Sequence, residues 1–170
     1  HIAIPEMDFP RLEGNGTYSN GLKKYTFRSA NAWMDREIFN TLLDKEQMGW
    51  DWFAIQLDNG MDIMAFQVRS ETQPYLSATI VARDGSATAL TNHDFQLIPL
   101  ANWTSPISGI SYPIQWRLLI PNQNIDLKIN ARFKQQELKN SIPVPFFYWE
   151  GQSSVSGTHT GNAYMELVGY

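Results

Sequence analysis

Hydrophobic and polar side chains alternate along much of the chain with a period of two residues. In the segment 50–57, one set of alternate positions holds Trp50, Trp52, Ala54 and Gln56, and the other set holds Asp51, Phe53, Ile55 and Leu57. This period is that of a β-strand, in which successive side chains point to opposite faces. Further strands are predicted over residues 112–119, 125–133, 146–151 and 162–168. The best helical candidate, residues 132–140, is short and is also compatible with a turn between strands.

Short turn sequences separate the alternating segments. Asn20-Gly21, Asp58-Asn59-Gly60 and Asp84-Gly85 each lie between two such segments. A glycine after Asn or Asp readily adopts the positive φ that tight hairpin turns require. We therefore predict an all-β fold of antiparallel hairpins, arranged as a closed barrel or as a sandwich.

The length of 170 residues suits one domain with a sizeable core. We expect residues 14–170 to form this domain and residues 1–13, which contain two prolines, to be an arm or a boundary. Aromatic residues make up 13% of the chain. Because aromatic side chains favour strands and often line ligand pockets, this content supports a β domain that binds a small molecule.

The formal net charge of −4 argues against a nucleic-acid or anionic-membrane partner, since phosphate binding needs clustered Lys and Arg. The only basic doublet, Lys23-Lys24, lies beside a turn and is interpreted as part of a solvated loop. No apolar run approaches the roughly 20 residues of a membrane span, so no transmembrane segment is predicted. The chain begins without the features of a signal peptide, and both cytoplasmic and exported locations remain open.

Several kinds of site are not indicated by the sequence. The absence of cysteine excludes disulfides, thiolate zinc sites and a cysteine nucleophile. His93 and His159 have no partner at metal-ligand spacing, so no metal site is predicted. Residues 153–156 are loop-like and lack the context of a serine nucleophile. No glycine-rich phosphate loop is present, and no cofactor is expected.

One candidate site lies in the segment NAWMDREIF. Trp33, Asp35 and Glu37 occupy alternate positions and would share one face of a strand. Burying two like charges side by side favours protonation of one of them, which would provide a proton donor near neutral pH. The alternative is that this face meets solvent, or that the carboxylates pair with Arg36, Arg117 or Arg132.

A second candidate site lies towards the end of the chain. Tyr148 and Glu150 share one face of a predicted strand, and Tyr164 and Glu166 repeat the same pattern. The two Tyr-x-Glu pairs would add two more acids to one pocket. The alternative is that each Tyr hydroxyl bonds a neighbour and each Glu lies on the rim.

Five blocks of the sequence resemble the second lipocalin-like domain of the AttH and carotenoid 1,2-hydratase (CrtC) family, which is related to fungal Diels–Alderases. The blocks follow the family's order and are AWMDRE (32–37), GWDWFAIQLDNGMDIMAFQVR (49–69), YPIQWRL (112–118), YWEG (148–151) and GNAYMELVGY (161–170). The resemblance implies a lipocalin-like antiparallel β-barrel of about 8–10 strands. It also implies a second lipocalin-like domain as partner in the whole protein, and a homodimer is the alternative.

The resemblance further implies a large apolar substrate such as a terpenoid, polyene or polyketide. In such a site an acid would protonate a double bond, and aromatic faces would stabilise the resulting cation. The expected catalytic residues are Asp35, Glu37, Glu150 and Glu166. The expected substrate-binding residues are Trp33, Trp50, Trp52, Gln56, Tyr148 and Tyr164.

The chain departs from the family pattern at Arg36, where the family has histidine. This difference makes cyclisation or isomerisation at least as strong a hypothesis as hydration, and orientation of the substrate alone would accelerate a cyclisation. Two alternatives to a lyase or isomerase remain. One is a binding module without catalysis, and the other is one half of a two-domain enzyme.

Overall fold

The computed structural model describes residues 6–37, 47–140 and 146–170, without the side chains of residues 6, 7, 37 and 47. Within these ranges the chain forms twelve β-strands and one short 3-10 turn, Pro121–Gln123. The strands are β1 (Glu6–Ser19), β2 (Lys24–Glu37), β3 (Gln47–Leu57), β4 (Asp62–Ser70), β5 (Tyr75–Val81), β6 (Ala87–Thr91), β7 (Gln96–Thr104), β8 (Ser111–Ile120), β9 (Ile125–Ala131), β10 (Glu137–Asn140), β11 (Phe146–Gly157) and β12 (Gly161–Val168). The prediction of an all-β fold is confirmed.

The chain divides into two compact units, His1–Leu42 and Leu43–Tyr170. The first unit contains the antiparallel pair β1–β2, whose strands are joined by the predicted turn. Gly21 adopts a φ of 85° there. The carboxamide oxygen of Asn20 accepts hydrogen bonds from the backbone N–H groups of Leu22 and Lys23, at 3.1 and 2.8 Å. Residue 13, at the predicted arm or boundary, lies within β1.

The second unit is a curled, ten-stranded antiparallel sheet that forms a half-barrel. Its strand order is β6-β5-β4-β3-β12-β11-β9-β8-β7, and β10 pairs with the first part of β11. The predicted turns at Gly60 and Gly85 join β3 to β4 and β5 to β6, with φ values of 87° and 85°. Tight turns keep these strands adjacent and antiparallel, as their sequences predict.

The core of the second unit is built from one face of each of its strands except β10. Phe53, Ile55 and Leu57 of β3 belong to it, which confirms the predicted alternation in this strand. The largest buried rings are those of Trp116 and Trp149, at 1% and 0% exposure. Burial of these side chains removes apolar area from water, which is the main term that stabilises the sheet.

One local prediction is wrong, and another is resolved in favour of its alternative, a turn between strands. The helical candidate 132–140 contains irregular backbone followed by β10, whose residues pair with β11. The loop-like segment 153–156 lies inside β11, where Ser153 and Val155 are buried. Pairing with neighbouring strands overrides local sequence preference in both segments. In the part of the chain that is described, no helix has the length and apolarity needed to cross a membrane.

Candidate functional site

Seven of the predicted site residues lie on one face of the half-barrel sheet, opposite its core. The register aligns Glu150 with Glu166, and Glu166 with Trp52. Two residues further along the strands, Tyr148 aligns with Val168, and Val168 with Trp50. The remaining two residues of the seven, Tyr164 and Gln56, follow on β12 and β3. We call the set Trp50, Trp52, Gln56, Tyr148, Glu150, Tyr164 and Glu166 the acidic aromatic face.

Two carboxylates lie side by side at the centre of this face. Glu150 and Glu166 are direct cross-strand partners, and such partners have Cβ atoms about 4.5 to 5.5 Å apart. Each accepts a hydrogen bond from an aromatic side chain. The Tyr164 hydroxyl donates to Glu150 Oε1 at 3.2 Å, and the Trp50 indole N–H donates to Glu166 Oε1 at 3.1 Å. Like charges directly opposite each other destabilise a sheet.

The tyrosines of the acidic aromatic face respond to these carboxylates. Burial raises the pKa of Tyr164 to about 12, and the charge of Glu150 and its hydrogen bond with the hydroxyl act in the same direction. Burial also raises the pKa of Tyr148, together with the charges of Glu150 and Glu166. Both phenols therefore stay protonated and can donate hydrogen bonds across the neutral pH range.

Aromatic residues continue from this face onto β4 and β5. Phe66 is the cross-strand partner of Trp52, and its ring centroid lies 5.8 Å from that of Tyr75. Phe66 and Tyr75 were not among the predicted site residues. The signal for Phe66 was present, because a tight turn centred on Asn59 places residues 52 and 66 opposite each other. The face therefore joins a pair of acids to a broader apolar surface.

The location of the predicted pocket requires correction. Aromatic and carboxylate residues are predicted to line the interior of a barrel, but the interior side of the sheet is packed with the core side chains. The side-chain period of two explains the difference, because Phe53 and Ile55 on the core face direct Trp50, Trp52 and Gln56 to the opposite face. The carboxylates of Glu150 and Glu166 follow the same rule, since Trp149 and Met165 occupy the core face.

The other predicted cluster, which consists of Trp33, Asp35 and Glu37, lies on the β1–β2 pair. Trp33 and Asp35 lie on β2, as predicted, with Trp33 half-buried and Asp35 exposed. Asp8 is the cross-strand partner of Asp35. Arg36, at the family's histidine position, is also exposed. The backbone of Glu37 ends β2, and its side chain lies outside the described part of the chain.

A buried polar cluster lies on the core side of the sheet, behind Trp50. Asp51 is fully buried and accepts hydrogen bonds from Arg69 at 2.6 Å, Gln67 at 2.7 Å and the Tyr170 hydroxyl at 2.6 Å. The Arg69 guanidinium also lies 3.9 Å from the centroid of the Tyr170 ring. Burial, followed by the charge of Asp51, raises the pKa of Tyr170. These contacts hold the last residue of the chain to β3 and β4.

Two further features of the described residues lie apart from the acidic aromatic face. An open groove of about 420 Å³ is lined by Leu100, Arg117, Asp126, Lys128, Gly157 and Thr158. The Arg117 guanidinium there donates to both carboxylate oxygens of Asp126, at 2.8 and 2.6 Å. Across residues 6–37, 47–140 and 146–170, no group of three or more His, Cys, Asp or Glu side chains is arranged to hold a metal ion.

Comparison with known families and solved structures identifies a family and several similar structures, among them the following two. The model of the AttH-like family matches residues 3–170. A crystal structure of a protein described as AttH from Nitrosomonas europaea is similar, with a TM-score of 0.85 and 28% sequence identity. Kievitone hydratase from Nectria haematococca is also similar, with a TM-score of 0.76 and 21% identity. Comparison with curated proteins finds no match.

The alignment with each solved relative covers nearly all of this chain but only part of the relative. Each alignment covers 97% of this chain and 52% of the solved relative, so the chain spans about half the length of either protein. The lipocalin-like fold class is confirmed by the first relative. At 21% identity, the likeness to the hydratase concerns the fold alone.

Proposed function

Because this chain belongs to the AttH-like family, we propose that it is a lyase- or isomerase-type enzyme acting on a hydrophobic small molecule. The proposed substrates are terpenoids, polyenes or polyketides, and the proposed reaction is hydration of a double bond or cyclisation. The observation that carries the proposal is the side-by-side pair Glu150 and Glu166 among aromatic side chains. The hydratase name of one solved relative is compatible with this reaction class.

The chemistry proposed for this pair is proton transfer to carbon. One of the two glutamic acids, in its protonated form, gives its proton to an alkene carbon, and the π-bond electrons form the new C–H bond. The positive charge left on the neighbouring carbon is stabilised by the faces of Trp50, Trp52 and Tyr148. A general acid placed in this way accelerates a reaction about 10²- to 10⁴-fold.

Two outcomes follow from the cation. In hydration, a water molecule adds to the cationic carbon and then loses a proton to the carboxylate, which restores the acid. In cyclisation, a second double bond of the substrate attacks the cation, and a C–H proton is lost to a carboxylate. The first product contains the elements of one water molecule, and the second is an isomer of the substrate.

Labelled water separates these outcomes. The chain is incubated with a lipid extract in deuterium oxide, or in water labelled with heavy oxygen, and products are identified by mass spectrometry. Hydration introduces both labels into the product, whereas acid-initiated cyclisation introduces deuterium without heavy oxygen. We expect Glu150→Gln or Glu166→Gln to lower turnover about 100-fold or more, since one general acid or base is lost.

The control is Glu71→Gln, which makes the same change at an exposed position between β4 and β5. It should retain the activity of the unmodified chain. If both site variants also retain that activity, the proposed role of Glu150 and Glu166 is wrong. Asp35→Asn and Glu37→Gln test the second proposed acid pair, with Trp33 as its aromatic wall, in the same assay.

The second candidate function is binding of an apolar ligand without catalysis. It is favoured by the hydrogen bond from Tyr164 to Glu150, because a binding site uses such a contact to hold a rim carboxylate in place. Recovery of an unchanged, stoichiometrically bound ligand from the extract, with no labelled product, would support this function over the enzyme. The proposed partner in the whole protein is a second lipocalin-like domain, with a homodimer as the alternative.

A further inference from the structure

The tip of the β1–β2 hairpin combines positive charge with exposed apolar side chains. Between Glu13 and Asp35 there is no acidic residue, and this interval contains Lys23, Lys24 and Arg28. It holds three of the chain's 13 Lys and Arg residues and none of its 17 Asp and Glu residues, so it carries +3 and the remainder carries −7. The net charge of −4 therefore conceals a strongly polarised distribution.

The apolar side chains of the tip are held in the open. Every residue from 17 to 29 is exposed, and we call this segment the basic tip. Leu22, in the turn, is 92% exposed. The rings of Tyr18 and Tyr25 stack with centroids 6.2 Å apart, and Phe27 is 39% exposed.

The turn itself is well ordered by local hydrogen bonds. The Asn20 carboxamide accepts two backbone N–H groups, the Ser19 hydroxyl accepts a third from Gly21, and Asn20 N–H donates to the Lys23 carbonyl. A turn fixed in this way keeps Leu22 at its outermost position. Ordering it on binding would cost little conformational entropy, because the free chain already has this geometry.

We propose that the basic tip docks on an anionic lipid surface. Leu22 inserts below the headgroups, Tyr18, Tyr25 and Phe27 lie at the interface, and Lys23, Lys24 and Arg28 contact the lipid phosphates. Stable binding of a peripheral protein needs two signals, an apolar insertion and a basic cluster, and the tip supplies both.

The apolar composition of the tip favours lipid over other anionic partners. A nucleic acid would neutralise Lys23, Lys24 and Arg28, but it has no hydrocarbon layer to receive a leucine at the end of a turn. A contact between the tips of two copies of the chain would bring like charges together. This inference does not rest on the proposed enzymatic activity, because lipid binding is measured without a substrate.

Vesicle binding tests the proposal directly. The 170-residue chain is sedimented with vesicles of phosphatidylcholine alone and of phosphatidylcholine with phosphatidylglycerol. We expect binding to the anionic vesicles that weakens as salt is added, and much weaker binding to phosphatidylcholine. The double variant Lys23→Gln, Lys24→Gln should bind about 30-fold more weakly, given the usual contribution of a basic residue near an anionic surface. Leu22→Ser should bind about tenfold more weakly, since it removes the inserted side chain.

Matched controls lie on the half-barrel unit. The double variant Lys128→Gln with Lys134→Gln removes the same amount of charge from exposed positions. Ile107→Ser removes an aliphatic side chain that is 66% exposed. Both controls should bind vesicles as the unmodified chain does. Equal binding by the tip variants and the unmodified chain overturns the proposal. Two other results also overturn the proposal. One is that the chain self-associates without lipid and the tip variants abolish this association. The other is that RNA binds the tip while anionic vesicles do not.

A label at the tip provides a second, independent measurement. The chain contains no cysteine, so Leu22→Cys creates a single attachment point for an environment-sensitive fluorophore. We expect its emission to shift to shorter wavelength on anionic vesicles, as the fluorophore leaves water. The same label at Phe133→Cys, 64% exposed in the unmodified chain, should show no shift. If the emission of the fluorophore at position 22 does not shift on anionic vesicles, the tip does not insert.

Discussion

At the scale of single residues, the burial of Tyr164 and its contact with Glu150 both raise the pKa of the Tyr164 phenol. The phenol is partly buried beside a carboxylate, and its pKa is raised to about 12. The predicted strand pattern placed Tyr148 and Glu150 on one face of a strand and Tyr164 and Glu166 on one face of a second strand, and both pairs were expected to add their acids to one pocket. The pattern did not show that the two faces adjoin, because the serines of β11 carry no hydrophobic alternation and were interpreted as a loop. Strand pairing across β11 and β12 supplies that missing relation.

Neutralising Glu150 should lower the pKa of Tyr164. In Glu150→Gln the charge and the acceptor that help to hold the proton are removed, whereas burial, the largest cause, remains. The midpoint should fall from about 12 towards the ordinary value near 10 without reaching it. The measurement is phenolate absorbance against pH, with Tyr164→Phe subtracted to isolate this residue.

The sign of the accompanying stability change follows from the same pKa. Because folding raises the pKa of Tyr164, its contribution to stability is complete below about pH 10 and is lost as the pH rises through about 12. Glu71→Gln, which lies elsewhere, should leave the Tyr164 midpoint unchanged. A midpoint that is the same in Glu150→Gln and in the unmodified chain would contradict the hydrogen bond between these residues.

At the scale of elements, glycines decide where strands can meet and end. The Asn-Gly and Asp-Gly turns were predictable because their positive φ is a local requirement. Gly169 was not predictable as a close-contact residue, since its constraint comes from β3, which is distant in sequence. It has a φ of 80°, and a Cβ there would lie 2.1 Å from the Met48 carbonyl oxygen. This turn directs Tyr170 towards the buried Asp51.

Alanine substitutions separate backbone strain from this close contact. Gly85 has a φ of 85° but no atom within 4 Å of a Cβ, so Gly85→Ala should cost only the strain, about 1 to 2 kcal/mol. Gly169→Ala should cost the same strain and about 1 to 3 kcal/mol more, because the backbone of β3 must move. The free energy of unfolding in urea measures both. Equal losses would mean that the end of the chain moves away from Met48 without disturbing the sheet.

At the scale of the whole molecule, the segment around the hairpin tip carries an excess of positive charge, and the rest of the chain carries an excess of negative charge. Alternation, turn sequences and the family resemblance predicted the fold class, whereas the net charge of −4 argued against an anionic-membrane partner, the opposite of what is proposed for the basic tip. Net charge is a sum over the chain, whereas binding to a surface depends on the charges of the part that approaches it. The basic tip is recognised only when its lack of acidic residues is combined with the exposure of Leu22 and its aromatic neighbours.

The proposed enzyme and the proposed membrane contact make a joint prediction, since apolar substrates partition into lipid. With substrate presented in anionic vesicles, Lys23→Gln with Lys24→Gln should lower the rate about 30-fold at low substrate, because fewer molecules reach the surface. With the same substrate dissolved in detergent, this variant should match the unmodified chain. Glu150→Gln should lose turnover in both forms, since it removes chemistry and not access. Equal loss by the lysine variant in detergent would mean that the tip acts on folding or catalysis, and not on delivery from the membrane.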